Sequence, residues 1–295
     1  MTRSSEFAPA KVNLSLHVGP PKDNGRHNLV SLVAFADNDV ADLITAEPAN
    51  QFSLAVDGPY ARQSGPAKDN LVLKAARAMN DALDGNAPPL AFRLQKNLPC
   101  AAGIGGGSAD AGAALRLMVR AHGGDRAQTM AEAIAPLLGG DVLACYRNLP
   151  GLMTGEGETY EPLLSVPALP ALLVNAGVAC PTGPVFQAYD AVAPQAIPEH
   201  PPLPDNRTAL RAFLSWLRDN TENSLETPAM SQHPDITETL ATLHAVPGAR
   251  LIRMSGSGAT CFALFDSMEA ADAAAASLSG QRPDWWIRAT MLGAG

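Results

Sequence analysis

The sequence predicts an α+β fold in two halves, and three observations carry that prediction. Strand-like and helix-like segments come in runs, without the regular β-α-β alternation of a doubly wound sheet. Period-two apolar alternation opens the chain and helical periodicity follows it, with Gly, Pro, Asn and Asp clusters between the segments. Ten of the 25 prolines fall between residues 162 and 204, which marks a crossing between an N-terminal half, 1–160, and a C-terminal half, 161–295. A chain of 295 residues is long enough for two cores at roughly 150 residues per domain.

From Ala10 to Val18 the apolar residues Ala10, Val12, Leu14, Leu16 and Val18 alternate with Lys11, Asn13, Ser15 and His17, the pattern of a half-buried strand. Strand-like runs follow at 29–35, 42–46, 52–56 and 90–96. Residues 70–83 read as a helix, with Leu71, Ala75, Ala78, Met79 and Leu83 at helical spacing, Asp69 to cap its start and Gly85 to end it. A second helix is expected over 108–122, with Ser108 as N-cap and Gly123-Gly124 as the stop, and a third over 126–138, ended by Gly139-Gly140. The second half offers a strand at 171–175, helices near 207–220 and 236–244, strands at 250–254 and 260–266, an Ala-rich helix at 269–278 and a last strand at 285–290.

Composition removes several classes of function. Lys and Arg number 21 against 29 Asp and Glu, a net charge of −8, and no basic run is dense enough to follow a nucleic-acid polymer. Small anions are still admissible, because backbone N–H groups bind phosphate locally. The first residues lack the apolar core of a secretory signal, and no window reaches about 18 uninterrupted apolar residues; a cytoplasmic protein with no membrane partner is expected. Cysteines 100, 145, 180 and 261 form no C-x-x-C pair and have no His cluster nearby, which speaks against structural zinc and for reduced, buried thiols.

The strongest local signal is the run from Leu98 to Asp110, with Gly103, Gly105, Gly106 and Gly107 inside five residues and a helix directly behind them. Such a loop leaves several backbone N–H groups free to point at one anion, and the helix terminus adds about half a positive charge. Ser-Ala follows the last glycine where a P-loop has Lys-Ser or Lys-Thr, and Ser108 stands where the dinucleotide fingerprint needs glycine. A tight strand-to-helix turn is the alternative. The second cluster, Ser255-Gly256-Ser257-Gly258, equally fits a hairpin turn, and no nucleophile elbow passes through either serine. Alone, Lys11 fits a solubilising charge, Asp141 a turn or helix-capping aspartate, and His27 a loop histidine.

Taken in order, the blocks Ala8-Pro9-Ala10-Lys11-Val12-Asn13-Leu14, Pro99 to Asp110 and Met254 to Phe262 resemble the GHMP kinase superfamily. Further features, Gly25-x-His27 followed by Leu29 and Ser31-Leu-Val, Gly140-Asp141-Val142, Thr154-Gly-Glu-Gly157-Glu, Thr182 with Val185-Phe186, and Asn223-x-Leu225-Glu226, are similar to those of members that act on a cytidine-diphosphate derivative of methylerythritol. The resemblance implies an N-terminal half like domain 2 of ribosomal protein S5, a ferredoxin-like C-terminal half and an active site in the cleft between them. It implies ATP as phosphoryl donor, Mg²⁺ carried with the nucleotide, and CDP-methylerythritol as the small-molecule substrate. Pro99, Ala101, Ala102, Gly103, Ile104, Gly105, Gly106, Gly107, Ser108 and Ala109 would surround ATP, Asp141 would act as base, and Lys11 would be its charge partner. Asn13, Arg26, His27, Thr182 and Phe186 would hold the substrate, and Ser255, Gly256, Ser257 and Gly258 would form the C-terminal glycine loop. No protein-held metal is implied. Arg26 departs from the family's tyrosine, and Leu143-Ala-Cys145 from its usual proline and phenylalanine; a guanidinium plane still stacks on a base. Two other readings stay open: a GHMP kinase of homoserine, a mevalonate-type alcohol or a sugar, and a non-catalytic nucleotide-binding protein on the same scaffold. The first gives no reason for His27 and Phe186, the second none for an acid beside Lys11. A monomer or weak homodimer is expected.

Overall fold

The chain builds three sheets over three hydrophobic cores. In order along the sequence come β1 (Ser4–Pro9), β2 (Lys11–Asn13), β3 (His17–Pro21), β4 (His27–Phe35), β5 (Ala41–Pro48), β6 (Ser53–Asp57), α1 (Leu71–Ala82), β7 (Leu90–Gln95), α2 (Gly106–His122), α3 (Asp125–Leu138), α4 (Val142–Arg147), β8 (Gly151–Thr154) and β9 (Thr159–Pro162). Then follow β10 (Leu169–Asn175), α5 (Thr182–Asp190), α6 (Leu210–Asn220), α7 (Glu226–Gln232), α8 (Pro234–His244), β11 (Leu251–Met254), β12 (Cys261–Leu264), α9 (Met268–Gln281) and β13 (Trp286–Leu292). The computed structural model describes residues 3–163, 166–192, 196, 200–205 and 208–293. The proline-rich stretch 194–204 and the expected start of a helix at 207 lie partly outside them.

The first sheet has the order β1-β5-β7-β6, antiparallel except for β6 beside β7. Against it α1 buries Val72, Ala75, Ala76 and Met79, and α2 buries Ala111, Ala114, Leu115 and Met118. The second sheet runs β2-β4-β8-β9, with β3 added along β4. The third has the order β11-β12-β10-β13, all antiparallel. Every residue of β10 is buried, and the pleat sends alternate side chains to opposite faces. Leu169, Ala171 and Leu173 join a core with Ala10, Val12, Leu14, Leu32 and Ile104, while Leu172 and Val174 join one with α5, α7, α8 and α9. The first of these cores, made by both parts of the chain, is what fixes the cleft.

The polar alternation at 10–18 is not a solvent-facing strand edge. β2 ends at Asn13, the amides of Leu14 and Ser15 both donate to the Leu32 carbonyl, and Leu16 bridges Asn223. Lys11, Asn13, Ser15 and His17 are all buried, because the third sheet and the glycine loops cover the face that water would otherwise occupy. Helix α2 starts at Gly106 with Gly105 as N-cap at φ 63°, two residues ahead of the expected start, so Ser108 lies in the first turn. The cap of α1 is Asn70, whose side chain accepts the Val72 N–H at 2.9 Å, one residue past Asp69. Segments without a readable period also fold. In α4 Val142 to Tyr146 are all buried, so no polar stripe marks it. The third residues of α5 and α7 are Pro184 and Pro228, which look like breakers but sit in first turns, where the amide has no intrahelical partner anyway. Among the described residues no helix is long and apolar enough to cross a membrane.

Candidate active site

A cleft of about 330 Å³ opens beside β2, between the two glycine loops and α5, and its lining includes Lys11, Asn13, Asp141, Thr182, Phe186 and both glycine clusters. Ala101, Ala102, Gly103, Gly105, Gly106, Gly107 and Ser108 form one wall, and Gly256 and Ser257 another. Ile104 and Ala109 point into the cores instead, and Pro99 is not part of the wall.

The two loops interlock through backbone. The Ser255 hydroxyl donates to the Gly103 carbonyl at 2.9 Å and accepts the Asn13 N–H at 3.1 Å, and the Thr260 N–H reaches the Ala102 carbonyl at 3.0 Å. A Cβ on Gly103 would stand 2.3 Å from the Ser255 carbonyl oxygen and 2.7 Å from that of Gly258, so only glycine permits this approach. Gly258 therefore serves the packing of the loops and does not line the cleft. The first intrahelical bond of α2 runs from the Ala109 N–H to the Gly105 carbonyl at 2.8 Å. The amides of Gly106, Gly107 and Ser108 precede it and are left for a ligand, at the positive end of the helix.

Against this wall, where the Lys11 N–H donates to the Ile104 carbonyl at 3.0 Å, Lys11 Nζ meets Asp141 Oδ1 at 2.7 Å. Lys11 is 3% exposed and Asp141 32%, so the cation is locked in the protein while the carboxylate reaches the cleft. The ammonium comes from β2, and Asp141 precedes the short helix α4. Its neighbour Gly140 packs on the β8–β9 turn, where a Cβ would lie 3.0 Å from the Glu156 carbonyl oxygen. Asn13 donates to Ser31 Oγ at 2.7 Å, and its buried Oδ1 has no partner; an oxygen of this kind is costly unless a ligand donates to it.

The rings of His27 and Phe186 pack at 4.8 Å between centroids, tilted by 40°; Phe186 lines the cleft, and His27 Nε2 lies 2.7 Å from Asp190 Oδ1. That carboxylate places the proton on Nε2 and leaves Nδ1 an acceptor in the neutral ring. Thr182 Oγ1 is 3.0 Å from Ser257 Oγ, which ties α5 to the second glycine loop. Arg26 is not brought into the cleft: its guanidinium, 72% exposed, lies 3.2 Å from Glu156 Oε2. Lys22 and Asn24 reach the same carboxylate at 2.6 and 3.1 Å, and these hydrogen bonds, that from Lys22 first, pull its pKa down to about 2. Asp190, the partner of His27, is a residue that sequence reasoning missed. Ser31 and Glu156 stood inside the sequence features given above, whereas Asp190 carries no local signal, since its partner lies 163 residues away.

Residues 70–148 match the GHMP kinases N terminal domain and residues 206–283 the GHMP kinases C terminal domain. The chain is 49% identical over 292 residues to the 4-diphosphocytidyl-2-C-methyl-D-erythritol kinase of Hyphomonas neptunium, covering 98% of this chain and 97% of that one. It is 44% identical over 290 residues to the enzyme of the same name from Caulobacter vibrioides strain NA1000 / CB15N, with 98% and 99% covered. A crystal structure of 4-(cytidine 5'-diphospho)-2C-methyl-D-erythritol kinase superposes with a TM-score of 0.80 at 30% identity, over 99% of this chain and 100% of that one. With both halves matched and its relatives similar from end to end, the chain belongs to the GHMP kinases, in their family of 4-diphosphocytidyl-2-C-methyl-D-erythritol kinases.

Proposed function

We propose that the chain transfers the γ-phosphoryl group of ATP to the 2-hydroxyl of 4-(cytidine 5'-diphospho)-2-C-methyl-D-erythritol. The observation that carries the reading is the 2.7 Å Lys11–Asp141 pair in the same cleft as the free amides of α2. Those amides hold the ATP phosphates, Lys11 fixes Asp141 and polarises the acceptor, and Asp141 takes the hydroxyl proton. The new O–P bond forms as the bond from the γ-phosphorus to its bridging oxygen breaks, and that electron pair leaves with ADP. Positioning and charge stabilisation supply most of the acceleration in phosphoryl transfer, so one oriented carboxylate suffices. Mg²⁺ comes with the nucleotide on this reading, and no step is assigned to it.

Residues 1–160 supply Lys11, Asn13, Asp141 and the phosphate loop, and residues 161–295 supply Thr182, Phe186 and the Ser255–Gly258 loop. Phe186 offers its ring to cytosine and His27 Nδ1 accepts from the exocyclic amine, while the orphaned Asn13 Oδ1 takes a hydroxyl of the alcohol. Both substrates are soluble phosphates, so we place the reaction in the cytoplasm. In the test, Asp141→Asn lowers kcat by roughly 10²- to 10⁴-fold while ATP binding by calorimetry persists; full turnover would remove Asp141 from the mechanism. Purified protein given ATP with the cytidyl alcohol, homoserine or mevalonate in parallel releases ADP with the first, and preferential turnover of either other alcohol overturns the substrate assignment.

A further inference from the structure

Beneath the phosphate loop lies a charged group of three that the mechanism does not use. Lys96, directly after β7, places Nζ 2.5 Å from Asp42 Oδ2 on β5 and 2.6 Å from Asp110 Oδ2 on α2. The three residues are 2%, 0% and 2% exposed. A Cβ on Gly106, in the cleft wall, would stand 3.2 Å from the Lys96 ammonium and 3.9 Å from Asp42 Oδ2, so the group sits one atomic layer below the place assigned to the phosphates.

The carboxylates are not equivalent. Asp42 Oδ1 accepts the N–H groups of Asn97 and Leu98 at 2.5 and 2.8 Å, so that anion has three donors. Asp110 has Lys96 alone, and its buried Oδ1 has no partner. We propose that Lys96, Asp42 and Asp110 are positioning residues of the phosphate site, clamping the first turns of α2 to the ends of β5 and β7 and keeping the floor under Gly106 from repelling phosphate. One ammonium between two carboxylates would carry a net −1, a repulsive floor for an anion in a low-dielectric site. A proton on one carboxyl brings the group to zero, and Asp110 is the one that holds it. Burial, with the Asp42 carboxylate alongside, raises its pKa against the opposing pull of Lys96, and the proton has Asp42 as acceptor. Lys96 stays charged, because its contacts with Asp42 and Asp110 together outweigh the burial that works against it. The other titratable groups facing Asp110, the thiols of Cys100 and of Cys145 on α4, are held neutral by burial and add no charge.

The proposal rests on the reading of Gly105–Ser108 as the ATP site, and the test separates the two. ATP binding is measured by calorimetry without the acceptor alcohol, from about pH 7 to about pH 9.5, across the loss of a proton from a raised carboxyl. In the wild type the affinity weakens several-fold toward the alkaline end. Asp110→Asn, which keeps the shape and the acceptor for Lys96 but cannot ionise, removes that slope. A purely structural role would change the melting temperature and leave the slope in place. A wild-type affinity flat with pH, or an Asp110→Asn slope equal to the wild type, overturns the proposal. Gly105→Ala is the control for the loop: its Cβ enters at φ +63° and 3.2 Å from Lys11 Cβ, so ATP binding weakens. Unchanged binding in that variant overturns the phosphate-loop reading itself, whereas weakened binding together with a wild-type slope in Asp110→Asn rejects only the role of the three buried residues.

Discussion

Gly103 has φ +74° and no room for a side chain between the Ser255 and Gly258 carbonyls. Alanine there meets both obstacles, and Gly103→Ala is expected to lower stability by about 1–3 kcal/mol in urea titrations and to raise KM for ATP, because the loops must separate. Arg26 is the opposite case. It is an exposed member of a surface cluster on Glu156, and exposed ion pairs contribute about 0–1 kcal/mol. Arg26→Tyr should therefore shift KM for the cytidyl substrate by no more than roughly fivefold and leave kcat alone; a much larger change in steady-state kinetics would place Arg26 on the substrate. The sequence displayed Arg26 beside His27 and so suggested a stacking partner. Only the fold shows Glu156, 130 residues away, claiming the guanidinium.

Helix α2 joins the first glycine loop to the neighbourhood of Asp141. On its buried face Gly112 lies against α4, where a Cβ would come 2.7 Å from the Cys145 carbonyl carbon and the Tyr146 nitrogen. Gly112→Ala must push α4 away, and Asp141 stands at the head of that helix. The expected result is a loss of about 1–3 kcal/mol from overpacking, with a fall in kcat and little change in KM for ATP; kinetics and denaturation on the same variant check the split. The extent of α2 was legible in the sequence from its apolar stripe and the Gly123-Gly124 stop, though its true N-cap was not, since a left-handed Gly105 takes the place that a serine would ordinarily hold. Helix α4 was illegible, because burial on all sides erases the periodicity by which a helix is recognised.

At the scale of the molecule, both parts of the chain contribute to the core around Val12, Leu14, Leu32, Leu173 and Phe262, and Arg253 reinforces it. Its guanidinium donates to the Leu14 carbonyl at 2.6 Å and the Thr221 carbonyl at 2.7 Å, and burial lowers its pKa to about 10. Arg253→Met strands both carbonyls and should cost on the order of 3 kcal/mol. All three tryptophans, at 216, 285 and 286, lie in the C-terminal half, so coincident denaturation midpoints by tryptophan fluorescence and far-UV circular dichroism would show the halves unfolding together; separate midpoints would show two units. Asp110 also sets a pH dependence of stability. Its folded pKa is raised, so the folded state binds more protons than the unfolded one between the ordinary carboxyl value near about 4 and the raised one. Stability therefore falls as pH rises through that window, and Asp110→Asn should flatten the fall in thermal melts. By itself the sequence determined the class of fold and the two glycine loops, because each is written in contiguous residues whose conformational needs are local, whereas the pairing of Lys11 with Asp141 came only as what the family resemblance implied. Tertiary structure alone decided that the polar face of 10–18 is interior, that Lys11 meets Asp141, that His27 is oriented by Asp190, that Arg26 is spent on Glu156, and that Lys96 lies under Gly106. Those contacts join residues far apart in the chain, and their partners are selected by packing and charge, which no local pattern encodes.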